Sequence, residues 1–257
     1  MNIVLQNKED RIGYITLNRP EKRNALNQEM VEALTNAFSA MEADDEVKVI
    51  VLQATGTVFS AGADLAYLQS LQQNSYDENL ADSMRLRDLL ARIYEMEKVV
   101  IAKVQGHAIA GGCGLASVCD FVISAQEAKF GYTEVRIGFV PALVMVFLVR
   151  KLGDARAREL LLGGGLITAE RAQAIGLVNH VVAAAELSSF TREFALELCH
   201  KNAATSMRLT KQLLARIQGV PLHEALNDAA ETNAGARSTP DCQQGIAAFL
   251  AGKKISW

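Results

Sequence analysis

Apolar positions along the chain change period several times, and each change predicts an element. Ile3 to Leu5 and then Ile12-Gly-Tyr-Ile-Thr-Leu17 read as two short strands around an acidic turn, Lys8-Glu-Asp10. Asn18-Arg-Pro20 ends the second strand, because proline donates no ladder hydrogen bond and biases Arg19 away from helix. From Asn27 the period turns helical. Met30, Leu34, Phe38 and Met41 share one face of a helix that Asn27 caps and that runs to about Glu42. A continuous apolar run at 47–53 predicts a buried strand, so the first unit is strand, strand, helix, strand.

The polar, glutamine-rich stretch from Leu65 to Asn79 predicts a helical flap. A longer helix follows at about Glu78 to Lys98, with Leu80, Met84, Leu86, Leu89, Leu90 and Ile93 as its apolar positions. Val99 to Gln105 and Asp120 to Ser124 read as further strands. Two short helices are expected at 155–163 and 168–175, the second capped by Thr168, and then a strand at 176–182. The apolar run after Pro141 reads as a core helix. From Leu187 the pattern is helical throughout, at about 186–200, 203–218, 221–234 and 239–251, with Pro221 and Thr239-Pro240-Asp241 as starts. The expected organisation is an α/β core over 1–186 and a helical region over 187–257.

Two glycine turns carry the candidate chemistry. Gly111, Gly112 and Gly114 interrupt the chain just after the strand at 99–105, and Leu115 to Val118 can wind as a helix. Glycine lets the backbone turn sharply and lets a ligand approach its amides. The first amides of a helix lack partners and favour negative charge. The second turn, Val58-Phe-Ser-Ala-Gly-Ala-Asp-Leu65, also follows an apolar strand. Two such turns can aim two N–H donors at one carbonyl oxygen, as an oxyanion hole requires. Glu134, in Phe130-Gly-Tyr-Thr-Glu134, adds a carboxylate.

Four motifs now stand in order: Asn18-Arg-Pro-Glu-Lys-Arg-Asn-Ala-Leu26, Phe59-Ser-Ala-Gly-Ala-Asp-Leu65, Gly111-Gly-Cys-Gly-Leu-Ala116 with Cys119-Asp120, and Phe130-Gly131 with Glu134. In sequence and spacing they resemble the crotonase (enoyl-CoA hydratase/isomerase) superfamily, over essentially the whole chain. The resemblance implies a spiral of strand-strand-helix units with a helical C-terminal lobe that forms trimers, or a dimer of trimers. It implies an acyl-CoA thioester as substrate, with no cofactor and no metal. Its donors would be the backbone N–H groups of Ala61 and Gly111, and its catalytic carboxylate Glu134. Ala25, Ala63, Asp64, Leu65, Gly112 and Tyr132 would contact substrate. Lys22 and Arg23, with Lys253 and Lys254, would meet the phosphates of the coenzyme A nucleotide. Asp64 matches a position tied to the structure of the first turn. An arginine among Arg85, Arg87 and Arg92 facing inward would suggest an acidic acyl chain.

One departure matters. Two-carboxylate hydratases of that superfamily carry a second glutamate where this chain has Gly114. Hydration of a 2-enoyl-CoA remains the leading expectation, in fatty-acid or branched-acid breakdown. Two alternatives stay open: a Δ3,Δ2-enoyl-CoA isomerase using Glu134 alone, and a CoA-ester-binding subunit with little or no activity. Tyr132 and His107 are near enough in sequence to stand in as polar partners.

Composition removes other classes. Half of the 257 residues are hydrophobic, ample for a packed core, and the net charge of −3 gives no footprint for nucleic acid. No apolar run reaches the roughly 20 residues of a membrane span. Met1 leads straight into Ile3-Val-Leu5, with no signal or transit pattern. The four cysteines form no C-x-x-C pair, which predicts reduced thiols in a cytoplasm. Cys113, beside the glycine turn, is a nucleophile candidate without an identifiable histidine partner.

Overall fold

The computed structural model describes residues 2–257. A six-stranded sheet forms its centre, built from β1 (Val4–Glu9), β2 (Ile12–Leu17), β3 (Val49–Ala54), β4 (Val99–Val104), β6 (Phe121–Ala125) and β9 (His180–Val182), in that spatial order. β1 and β2 form an antiparallel hairpin, and every later pairing is parallel. Parallel neighbours need crossovers, and helices supply them. α1 (Gln28–Ala43) lies between β2 and β3. α2 (Leu65–Leu71) and α3 (Tyr76–Glu95) lie between β3 and β4, and the short α4 (Gly111–Ser117) lies between β4 and β6.

Both faces of the sheet are buried at its middle strands, which is why β3 and β4 read as nearly continuous apolar runs. Ile15, Leu17, Ile50, Leu52 and Val100 pack with Met30, Leu34 and Phe38 of α1 and Leu89 and Ile93 of α3. Ile12, Val49, Val51 and Ile101 pack instead on Leu187, Ala195 and Cys199 of α8 (Leu187–Lys201). The first C-terminal helix therefore closes the sheet's second face. α9 (Ala204–Arg216), α10 (Leu222–Ala236) and α11 (Pro240–Leu250) stand further out, and α10 and α11 bury none of their residues within the chain.

A second, narrower ladder decides where the site lies. β5 (Ala108–Ile109), β7 (Lys129–Gly131) and β8 (Ile167–Thr168) make a three-stranded sheet. Two isolated bridges extend it, Ser60 to Ala108 and Leu26 to Ala63. Thus the segment just beyond each of β2, β3, β4 and β6 lies beside the next. These pieces are too short to show a period, and the sequence does not announce them.

The caps agree with the expectations. Asn27 Oδ1 accepts from the Met30 N–H at 3.0 Å, and Thr168 Oγ1 from the Arg171 N–H at 3.2 Å. The flap differs. It winds only as far as Leu71, and Ser75 and Glu78 then form a reciprocal capping box that starts α3 afresh. The run after Glu134 divides into a 3-10 turn at Glu134–Ile137 and α5 (Ala142–Leu152). α6 (Asp154–Gly163) and α7 (Ala169–Ala174) complete the core. No helix among the described residues is long and apolar enough to cross a membrane.

Candidate active site

The narrow ladder sets the two glycine bends side by side. A Cβ placed on Gly62 would lie 3.3 Å from the Gly111 nitrogen and 2.8 Å from the Ile109 carbonyl oxygen. Gly62 holds φ +86°, a conformation that L side chains rarely adopt. The other bend carries strain openly. Ala110 has φ 52° and ψ −127°, a region that holds glycine almost alone and costs on the order of 1–3 kcal/mol for other residues. That strained residue turns the chain so that Gly111 opens α4.

The donors are not quite those expected. The Ala61 N–H donates to the Arg23 carbonyl at 3.0 Å and is engaged. Arg23 is itself left-handed, with φ 51°, which brings its carbonyl there. Two residues further on, the Ala63 N–H has no acceptor among the described residues. Its neighbours are tied down: Leu26 N–H donates to the Gly62 carbonyl at 2.7 Å, and Asp64 N–H to the Leu26 carbonyl at 2.8 Å. The Gly111 N–H is likewise without an acceptor, as expected at the first position of a helix. The free pair is therefore Ala63 and Gly111, and Ala61 is corrected to a structural donor.

Ala63 and Gly111 line one cleft of about 770 Å³, and Ala61 and Glu134 line it too. The Glu134 side chain is reached from Thr133 at the start of the 3-10 turn and is only 8% exposed. Its Oε2 is buried with no hydrogen-bond partner in the chain. Burial raises its pKa above the ordinary glutamate value and outweighs the lowering effect of its own backbone N–H. A carboxyl group that gives up water without gaining a partner is suited to exchanging a proton with a substrate.

The remaining expected residues separate clearly. Leu65 lines the cleft and is 70% exposed. Asp64 caps α2 by accepting from the Ala66 and Tyr67 amides and pairs with Arg19 at 2.8 Å. Burial acts to raise its carboxyl, but Arg19 and those amides together hold it below the usual range. It holds the turn rather than touching substrate. Gly112 is buried against Ser60, whose carbonyl oxygen would lie 2.5 Å from an added Cβ. That glycine, too, is a packing position. Ala25 is buried and does not line the cleft.

Tyr132 is fully buried, points behind α4 and donates to Ser117 Oγ at 3.2 Å. It contributes nothing to the cleft wall, whereas its neighbours Thr133 and Glu134 do. His107 is exposed and meets the site only through its carbonyl, which accepts from Phe59 and Ser60. Neither stands in for a second acid. Cys113 is completely buried, and burial drives its thiol up to about 12, which removes it as a nucleophile. Lys22 and Arg23 are exposed on the turn before α1, and Lys253 and Lys254 are exposed beyond α11.

Three features went unread in the sequence. Val144 of α5 fills the space in front of Gly114: a Cβ there would sit 2.1 Å from Val144 Cγ1. Lys151, also from α5, donates to the Ser117 and Cys119 carbonyls at 2.8 and 3.0 Å. Its ammonium meets the C-terminal end of α4, where positive charge is favourable. Tyr67 and Asp82, from α2 and α3, line the cleft and are hydrogen-bonded to one another. A second cavity, of about 790 Å³, lies behind α4 toward α9 and contains none of the expected site residues.

Comparison with known proteins places the chain in a family. The family model described as "Enoyl-CoA hydratase/isomerase" matches residues 7–257. A Thermus thermophilus protein named, provisionally, as an enoyl-CoA hydratase is 44% identical over 247 residues, covering 96% of this chain and 97% of that protein. The 2,3-dehydroadipyl-CoA hydratase of Escherichia coli is 34% identical over 254 residues, covering 97% and 96%. Among solved structures, an enoyl-CoA hydratase of Mycobacterium smegmatis superposes with a TM-score of 0.94 at 30% identity, covering 100% of this chain and 99% of that one.

Proposed function

The chain belongs to the enoyl-CoA hydratase/isomerase family, has the crotonase fold and is an enzyme of acyl-CoA thioesters, and on that premise we propose that it hydrates a 2-enoyl-CoA to the 3-hydroxyacyl-CoA. One observation carries the reading. A buried glutamate with an unpartnered oxygen shares a cleft with two free main-chain donors.

The thioester oxygen would accept from the Ala63 and Gly111 amides. As water attacks C3, Glu134 takes its proton, and the electrons of the C2–C3 double bond move onto that oxygen as an enolate. The enolate then collapses and C2 takes a proton back from Glu134. Fixed donors aimed at the developing charge do most to lower the barrier: losing one typically costs about 2.7–4 kcal/mol. No cofactor is needed for these steps.

The Gly114–Val144 contact supports a second reading. Val144 leaves no room for a second carboxylate at that point, so nothing there orients a water beside Glu134. A 1,3 proton shift, which would make the protein a Δ3,Δ2-enoyl-CoA isomerase, needs one carboxylate to take a proton from one carbon and return it to another. Incubation with crotonyl-CoA and with a 3-enoyl-CoA separates the two. We expect loss of the enoyl absorbance with the first; conjugation of the second without hydration of the first would replace hydratase by isomerase. If neither turns over and CoA esters still bind, the chain is a binding subunit.

Lys22 and Arg23 remain the contacts proposed for the nucleotide phosphates. They belong to the turn whose Arg23 carbonyl accepts from Ala61, a residue of the cleft lining. We infer the cytoplasm as the compartment, since all four cysteines are unpaired thiols. We also infer a homotrimer or a dimer of trimers. Leu222 of α10 and Phe249 of α11 are 71% and 85% exposed, an apolar surface that a second copy would cover. Sedimentation velocity is expected to give a trimer or hexamer; a stable monomer at micromolar concentration would remove that part of the account.

A further inference from the structure

The cleft is lined mainly by apolar side chains, with one group of polar ones among them. On one side stand Val140, Leu143 and Val144, leading to Glu134. α2, α3 and the residues joining them contribute Leu65, Leu68, Leu71 and Leu86 as well, and among these stand the polar groups of Tyr67, Gln72, Asn79 and Asp82. An alkyl chain would pack on the leucines but has no use for those four polar groups, because a polar group facing an apolar ligand loses its water and gains no partner.

The bonding of Asp82 is lopsided. Its Oδ1 accepts from the Tyr67 hydroxyl and also from Arg85 at 3.2 Å. Its Oδ2 has no partner among the described residues, although the side chain is only 21% exposed. Arg85 pairs with Oδ1 alone and lines no part of the cleft, and Arg87 and Arg92 pair with Asp88 and Glu42. No arginine is therefore presented to the cleft, and the acidic acyl chain that an inward arginine would have suggested finds no counter-charge. Asp82 thus brings to the cleft an acceptor whose Oδ1 is fixed by two donors and whose Oδ2 is unpaired.

We propose that Tyr67 and Asp82 form a specificity subsite for a neutral hydroxyl group carried by the acyl chain, and that the same carboxylate rejects an anionic chain end. This rests on the acyl-CoA reading of the cleft and adds the class of acyl group to it. The hydroxyl donates to Asp82 Oδ2. Tyr67 ties α2 to α3 and keeps the carboxylate oriented. A hydroxylated chain would exchange its bond to water for a charge-assisted one, while a carboxylate would meet like charge in a partly desolvated site.

The test uses saturated esters, so that binding is read without turnover. Calorimetry on the wild-type protein compares hexanoyl-CoA, 6-hydroxyhexanoyl-CoA and adipoyl-CoA, with shorter and longer members of each series. The hydroxy ester is expected to bind about tenfold tighter than the plain one, the ratio given by roughly 1.4 kcal/mol. The dicarboxylic ester is expected to bind weakest. In Asp82→Asn the hydroxy-to-plain ratio should fall toward unity and the adipoyl ester should gain about tenfold. Equal binding of hydroxy and plain esters at every length, or preference for the adipoyl ester, overturns the proposal. So does an Asp82→Asn protein in which all three affinities move together, since that marks Asp82 as a brace for the flap. Failure of every CoA ester to bind wild type would instead strike the acyl-CoA reading itself.

Discussion

Glu134→Gln is expected to lower kcat by about 10³-fold, the middle of the range for losing a general acid–base, while acyl-CoA binding stays near the wild-type value. Glutamine keeps the shape and polarity of the side chain and removes only its proton exchange. The reason for a large effect is the isolation of the group. Tyr132 and His107 do not face the cleft, Asp64 is tied to Arg19, and the space beyond Gly114 is filled by Val144. Asp82 stands on the other wall, held by Tyr67 and Arg85. No neighbouring acid takes over.

The pH dependence follows from the same burial. The Glu134 pKa is raised, so the acidic limb of kcat/KM in wild type should lie above the ordinary glutamate value of 4.5. For an acid whose pKa is higher in the folded state, the folded protein binds more protons than the unfolded chain between the two values. Stability therefore falls as pH rises through that window. Glutamine removes this loss, and thermal unfolding at neutral pH should show Glu134→Gln more stable than wild type. A variant that is both fully active and no more stable would exclude Glu134 from the chemistry and from the strain at the site.

Much of the fold was legible because the central sheet is buried on both faces at its middle strands. Continuous runs such as 47–53 and 99–105 can only be strands of that kind or short buried helix, and the flanking glycines decide between them. Asn27 and Thr168 marked their helices for a local reason, since a cap needs only the three residues that follow it. Ser75 and Glu78 are a readable box that a helical reading of the polar flap passes over, which moved the start of α3. The narrow ladder was illegible. Ala108 and Ile109 form a strand only because Phe130 and Gly131 arrive from elsewhere.

The site was legible in its residues and less so in its directions. Motif spacing pointed to Glu134 and Gly111, and the structure brings both to one cleft. It could not tell Ala61 from Ala63 as donor, because that depends on where a left-handed Arg23 aims its carbonyl. Nor could it tell that Tyr132 turns behind α4 toward Ser117, or that Val144 comes from a later helix to occupy the void at Gly114. Each is a contact between distant segments, and one chain read alone carries no record of such contacts.

Gly62→Ala should reach the proposed oxyanion donors through the backbone, leaving the Glu134 side chain as it is. At φ +86° the new methyl group would sit 2.7 Å from the Ala110 Cβ and 2.8 Å from the Ile109 carbonyl oxygen. Neither is the end of a flexible side chain, so the two bends must part. Parting them moves Ala63 away from Gly111, and an oxyanion between them loses at least one good bond. The expected fall in kcat is about 10²–10³-fold, with KM changed far less, since the bond strengthens as charge develops. Overpacking adds a loss of stability of about 1–3 kcal/mol. Ala110→Gly in the same protein separates the two effects. It removes the Cβ contact and relieves the strain at φ 52°, but leaves the Ile109 carbonyl in place. Stability should therefore recover further than kcat. If the single variant turns over normally while folding normally, the paired amides do not hold the thioester oxygen, and the carboxylate works without them.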